Sequence, residues 1–150
     1  MIKYILDGIT NAIYEQFGDG YNIHVNPEEQ GVDEPCFFVY LMKSDEYEKT
    51  MGRYFQHNPF HIVYFPRTEE QAREETGYYE PNNECYEVLR QLLSTLRYIT
   101  LADGSVVRGT NLSGEVSDKR LSFYVDYDLY VNRRVGGIAM ESLIQDPRKV

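Results

Sequence analysis

The sequence has no tryptophan, only two cysteines, and 15 Lys/Arg against 24 Asp/Glu. Each shortage excludes something. Cys36 and Cys85 lie far apart and match no metal-ligand spacing, and two thiols are too few for a disulfide scaffold. Cys36 precedes Phe37-Phe38 and Cys85 sits near Leu89, the apolar setting of buried free thiols. A net charge of −9 is wrong for wrapping nucleic acid, which needs Lys and Arg against phosphate. The imbalance is local: residues 1–80 hold 15 acidic and 6 basic residues, residues 81–150 hold 9 of each. No stretch approaches the ~20 apolar residues of a membrane span, and Met1–Asp7 has neither a long apolar run nor a cleavage site. The expectation is a protein made in the cytoplasm, with no membrane partner and no specific nucleic-acid binding.

Catalytic signatures are missing too. There is no HExxH, no GxSxG and no phosphate loop. Gly18-Asp19-Gly20 and Gly136-Gly137 lack fixed glycine spacings and read as turns. His57 and His61 have the i,i+4 spacing that binds metal on a helix, but Pro59 lies between them in a strand-like stretch. Asp126 and Asp128 fall on one strand face, ~7 Å apart, where two carboxylates could share a divalent cation or act as acid and base. No acidic-then-Glu-x-Lys pattern accompanies them, so the solvated face of a strand is the better reading. No cofactor, metal or catalytic residue is expected.

What the chain does have is tyrosine: 14 Tyr and 7 Phe in 150 residues. Tyrosine suits half-buried sheet faces and protein interfaces, and both aromatics favour strands. The length suits one domain. Residues 2–17 place Ile2, Ile5, Leu6, Ile9, Ile13 and Phe17 at helical spacing, and glycines stop the helix. A short strand at 21–25 follows. Residues 36–50 and 52–65 read as two long strands turning about Thr50-Met51-Gly52. The first is apolar through Met42 and polar beyond Lys43; the second mirrors it. Pairing them leaves a polar hairpin arm, about residues 43–58, projecting from the core, with Asn58 and Pro59 able to bend it. Residues 66–80 read as a charged connection. Residues 82–97 read as a helix capped by Asn82 or Asn83. Asp103-Gly104 marks a hairpin turn, and residues 121–131 alternate as one strand.

These elements predict an α+β single domain over 1–132, with a mainly antiparallel or mixed sheet of about four to six strands and two helices on one face. Phe123, Val125, Tyr127 and Leu129 are expected to pack against Ile9, Ile13, Leu89 and Leu93. Residues 133–150 form a tail with Arg133-Arg134, Ile138, Met140, Leu143 and Ile144, expected to dock on a partner since so short a segment cannot offset its own ordering entropy. Tyr47, Met51, Tyr54 and Phe55 on the arm are the other expected contact residues.

The motifs Ile5-Leu6-Asp7-Gly8-Ile9, Tyr14-Glu15-Gln16-Phe17-Gly18, Glu29-Gln30-Gly31 and Glu34-Pro35-Cys36-Phe37-Phe38 resemble a tail-terminator family of Gram-positive phages, prophages and phage-tail-like particles. The likeness runs on through Arg53-Tyr54 and Phe65-Pro66 to Tyr127–Tyr130. It implies a virion subunit at the head-proximal end of the tail. Such a subunit forms a ring, typically a hexamer, that caps the tail tube, stops its polymerisation and offers a surface for head joining. The implied partners are other copies of the chain, the tube protein, neck or connector proteins, and a sheath if the tail contracts. Another neck protein, a metal-dependent enzyme on Asp126/Asp128 and a monomeric binding module are the rival readings.

Overall fold

The computed structural model describes residues 2–25 and 33–133, and the backbone of 143–144. Helix α1 (Ile2–Phe17) buries Ile5, Gly8, Ile9 and Ile13 on one stripe, as its 3.6-residue spacing requires. Five strands form the main sheet: β1 (Asn22–Val25), β2 (Cys36–Leu41), β5 (Pro59–Phe65), β9 (Arg120–Asp126) and β8 (Thr110–Ser117), in that spatial order. Only the β1–β2 pair is parallel. A second sheet runs β11 (Leu143–Ile144), β10 (Leu129–Arg133), β4 (Arg53–His57), β3 (Asp45–Thr50), all antiparallel. Strands β6 (Tyr98–Thr100) and β7 (Val106–Arg108) make a small hairpin, with Gly104 at φ +88 in its turn. The chain is therefore α+β with mixed and antiparallel sheets.

Helix α3 (Pro81–Thr95) lies over β8 and β9 and touches α1. Its buried side chains are Cys85, Val88, Leu92 and, at the C-cap, Leu96. They join Phe37, Phe60, Ile62, Tyr64, Phe123, Val125 and Tyr127 in one core. Leu89 and Leu93 are only partly buried at the edge of this core, one residue round from the helix face predicted for them. Leu89 packs closely on β8: a Cβ on Gly114 would lie 2.3 Å from its Cδ1, so a side chain at that position would make Leu89 shift. Gly109 is hemmed in by main chain as well, with a Cβ there 2.7 Å from the Leu96 carbonyl oxygen and 2.8 Å from Val125. Both thiols are buried and free. Burial pushes Cys36 up to about 11 and Cys85 up to about 12.

Three expectations need correcting. The charged stretch 66–80 holds a third helix, α2 (Glu69–Thr76). Its capping box was present in the sequence: Thr68 accepts from the Gln71 N–H, and the Gln71 side chain accepts from the Thr68 N–H. Gly77 at φ +83 closes it. Secondly, α3 starts one residue early, with Pro81 in its first turn, and neither Asn82 nor Asn83 caps it. Thirdly, none of the three long strands is continuous. Residues 36–50 break after Leu41, 52–65 break at Asn58, and 121–131 break at Tyr127-Asp128.

The cause of the last break lies at Asn58, a fully buried polar residue. Its carbonyl accepts from the Tyr127 N–H at 2.9 Å and its amide donates to the Tyr127 carbonyl at 3.1 Å. Ser44 Oγ donates to its Oδ1 at 2.8 Å. The side chain thus takes over hydrogen bonds the ladder gives up at the bend, leaving the buried groups paired. Pro59↔Asp126 and Leu129↔Gln56 keep one register across this point, so β5–β4 and β9–β10 are two strands bent together.

Candidate assembly surface

Beyond the bend, the second sheet presents two different faces. Residues directly opposite one another share a face. Tyr47, Phe55 and Tyr130 are opposite one another across β3, β4 and β10. Their rings form a row: Tyr47–Phe55 centroids lie 5.6 Å apart and Phe55–Tyr130 5.1 Å apart, the latter edge-to-face. Two cations flank the row. Lys49 Nζ sits 5.2 Å from the Tyr47 ring centre, and the Arg53 guanidinium 4.5 Å from that of Tyr130. Neither has a carboxylate partner among the described residues. Tyr47 is 52% exposed.

The opposite face joins the core. Leu129 and Val131 are buried in it. Above them Tyr54 lies against the Arg133 guanidinium, 4.8 Å from ring centre to Cζ. Arg133 grips Glu46 with both terminal nitrogens, and Gln56 donates to the same carboxylate at 3.2 Å. These bonds hold the Glu46 carboxyl below its usual range. The Arg133 N–H also donates to the Gly52 carbonyl at 2.7 Å, which ties β10 to the turn. Gly52, at φ +79, allows that turn, and Met51 beside it is 80% exposed at the tip.

The predicted contact residues are therefore placed as follows. Tyr47 and Phe55 share the aromatic face, Met51 is at the tip, and Tyr54 lies on the other face with Arg133. Arg134, Ile138 and Met140 lie outside the described residues. The backbone of Leu143 and Ile144 pairs with Arg133 and Asn132 of their own chain. Sequence reading missed Tyr130, Lys49 and Arg53. Tyr130 and the Arg53 stacked on it depend on the register between strands about 75 residues apart, which no local pattern reveals, whereas Lys49 lies over rings of its own hairpin.

At the bend, the structure gathers His57, Asp126 and Asp128, with ligand-capable atoms all within 4.8 Å of one another. These three could supply a nitrogen and two oxygens to a cation. Protein donors already use them. His57 Nδ1 is 2.9 Å from Asp128, the Asn58 N–H donates to Asp128 at 3.1 Å, and Asn111 donates to Asp126 at 2.8 Å. As they stand, they pin the bend. His61 lies outside the group and stacks on Tyr124 at 4.6 Å. Burial lowers its pKa.

Fold and surface together describe an α+β core carrying an aromatic-faced second sheet. The chain belongs to the phage tail terminator family: the family model, described as phage tail terminator protein, matches residues 4–135. It is a structural virion protein of the phage tail. No curated protein matches the sequence. No helix among the described residues is long and apolar enough to cross a membrane.

Proposed function

We propose that the chain forms a homo-oligomeric ring, a hexamer, at the head-proximal end of a phage tail or phage-tail-like particle. The ring caps the tail tube, stops its polymerisation and offers the surface to which the head joins. Its partners are its own copies, the tube protein and neck proteins, with a sheath if the tail contracts. It performs no catalysis and needs no cofactor. The observation that carries this reading is the Tyr47–Phe55–Tyr130 row, which stands outside the core beside an 80% exposed Met51 in a chain of the terminator family. Aromatic and methionine side chains are what protein interfaces are enriched in. The net acidic charge suits a channel wall that lets DNA pass without gripping it.

The chain beyond Arg133 is proposed to add a second contact, with Ile138 and Met140 docking on a neighbour. Removal of residues 135–150 then leaves a folded chain that assembles poorly. Native mass spectrometry tests the whole reading. It predicts a discrete species near six times 17.6 kDa, and purified tube protein stops growing when that species is added. A strict monomer at high concentration overturns it. The His57–Asp126–Asp128 group supports one other reading, a metal-dependent one, which gains ground only if purified protein retains a divalent ion that Asp126→Ala loses.

A further inference from the structure

At the end of the molecule away from the arm, α2 and α3 border a groove of about 440 Å³. Its floor includes Phe17, Tyr21, Ala72 and Val88, and Glu80 and Glu87 stand on its rim. Glu84 is also in the wall but is occupied, accepting from the Arg67 N–H at 2.9 Å and facing the Arg67 guanidinium at 3.4 Å. Glu80 has no cationic partner among the described residues. Glu87 is taken by Arg90, whose Nη2 lies 2.7 Å from it, so the groove is apolar below with Glu80 as the rim carboxylate open to a partner. The arm tip is its complement: Met51, the most exposed large apolar side chain among the described residues, near Lys49, which lies over the Tyr47 ring and has no carboxylate partner among them.

We infer that Met51 at the arm tip of one copy inserts into the α2–α3 groove of the next copy, with Lys49 set against Glu80. Within one subunit the tip and the groove lie toward opposite ends of the bent β4–β5 strand. The groove borders Tyr21, whose ring lies 6.2 Å from that of Tyr64 at the far end of β5. The tip lies beyond Arg53, and residues 53–64 run roughly 35 Å along the chain at ~3.3 Å per residue. Knob and hole sit on different patches of one subunit, so the contact is head-to-tail. That is the kind that closes into a ring when the rotation allows. A methionine fills an irregular apolar groove well because its chain is flexible and polarisable. The opposed charges fix which way round the neighbours meet.

This inference rests on the ring reading, and the experiment separates the two. The double variant Met51→Cys/Asn83→Cys places thiols at the tip and in the groove lining. Cys36 and Cys85 are fully buried and do not compete. Mild oxidation of the assembled protein should give a reductant-sensitive ladder of covalent multimers up to the full ring, and neither single variant should do so. Rings that form but stay uncrosslinked overturn the inference and leave the ring reading standing, as when the tip meets another protein. A wild-type chain that never assembles overturns both. A charge exchange checks the pairing: Lys49→Glu should weaken assembly at least fivefold, and adding Glu80→Lys should restore most of it. Losses that merely add contradict the contact.

Discussion

The two halves of one bent ladder differ in what their side chains do. In the core half, β5 alternates cleanly, with Phe60, Ile62 and Tyr64 buried and their neighbours half-buried. In the arm half, every residue of β4 is half-buried. The pairing with β9 and β10 is antiparallel and keeps one register throughout, so backbone bonding does not separate the halves. The separation is in composition and burial. It teaches that a continuous strand pair can be a folding element at one end and a presentation surface at the other, with Asn58 as the border.

The largest expected effect lies in the core half. Leu92→Ala, at a fully buried position, should cost about 2–5 kcal/mol in denaturant unfolding. Leu89→Ala should cost clearly less, because Leu89 is only partly buried. Equal costs would mean the face assigned to α3 is wrong.

The border comes next. Asn58→Leu removes the side-chain partners of the Ser44 hydroxyl and the buried Tyr127 carbonyl, while the Tyr127 N–H keeps its bond to the main chain of residue 58. Each buried group left unpaired costs ~1–3 kcal/mol. Unfolding should show a loss within that range, with amide protection falling first at Asp45–Thr50 and Leu129–Arg133. Uniform loss over both sheets would deny Asn58 its place as the border.

The smallest effect is in the arm half. The Arg133 hydrogen bond depresses the folded pKa of Glu46. The stability this contributes is complete above the unfolded value, ~4.3, and is lost as pH falls through the folded value. Both side chains are partly solvated, so the effect should be at most ~1 kcal/mol. Amide exchange followed downward from pH 5 should show β3 and β10 loosening before β5 and β9, and Glu46→Gln should abolish the difference. Parallel loosening in the wild type would contradict this.

The sequence told different amounts about the two halves, for physical reasons. Helix α1 and the core faces of β5 and β9 were legible because one buried stripe or face imposes a strict period. The polar switch after Lys43 marked the arm. Its bend was only suggested by Asn58-Pro59, and the strand breaks were missed because Tyr127-Asp128 keeps the alternation while the backbone turns. Strand β8 (TNLSGEVS) is polar and holds a glycine, so it carries no strand signal until Leu89 is seen against Gly114. Helix α2 was missed although Thr68 and Gln71 spell its cap, because its mean character is acidic and only Ala72 is buried. The aromatic row was legible only in part: Tyr47 and Phe55 were expected on the arm, but Tyr130 meets Phe55 only through long-range register.

The central claim is that the arm half serves association and the core half serves folding. The most direct measurement is the solution mass of the wild type beside Tyr47→Ala and Phe55→Ala, the two arm residues of the aromatic face, by light scattering, with thermal unfolding of the same samples. The account predicts one discrete multimer for the wild type, and variants that are largely monomeric yet melt close to it once compared as monomers. Variants that unfold as monomers and show no loss specific to assembly would place the arm in the core and contradict the account.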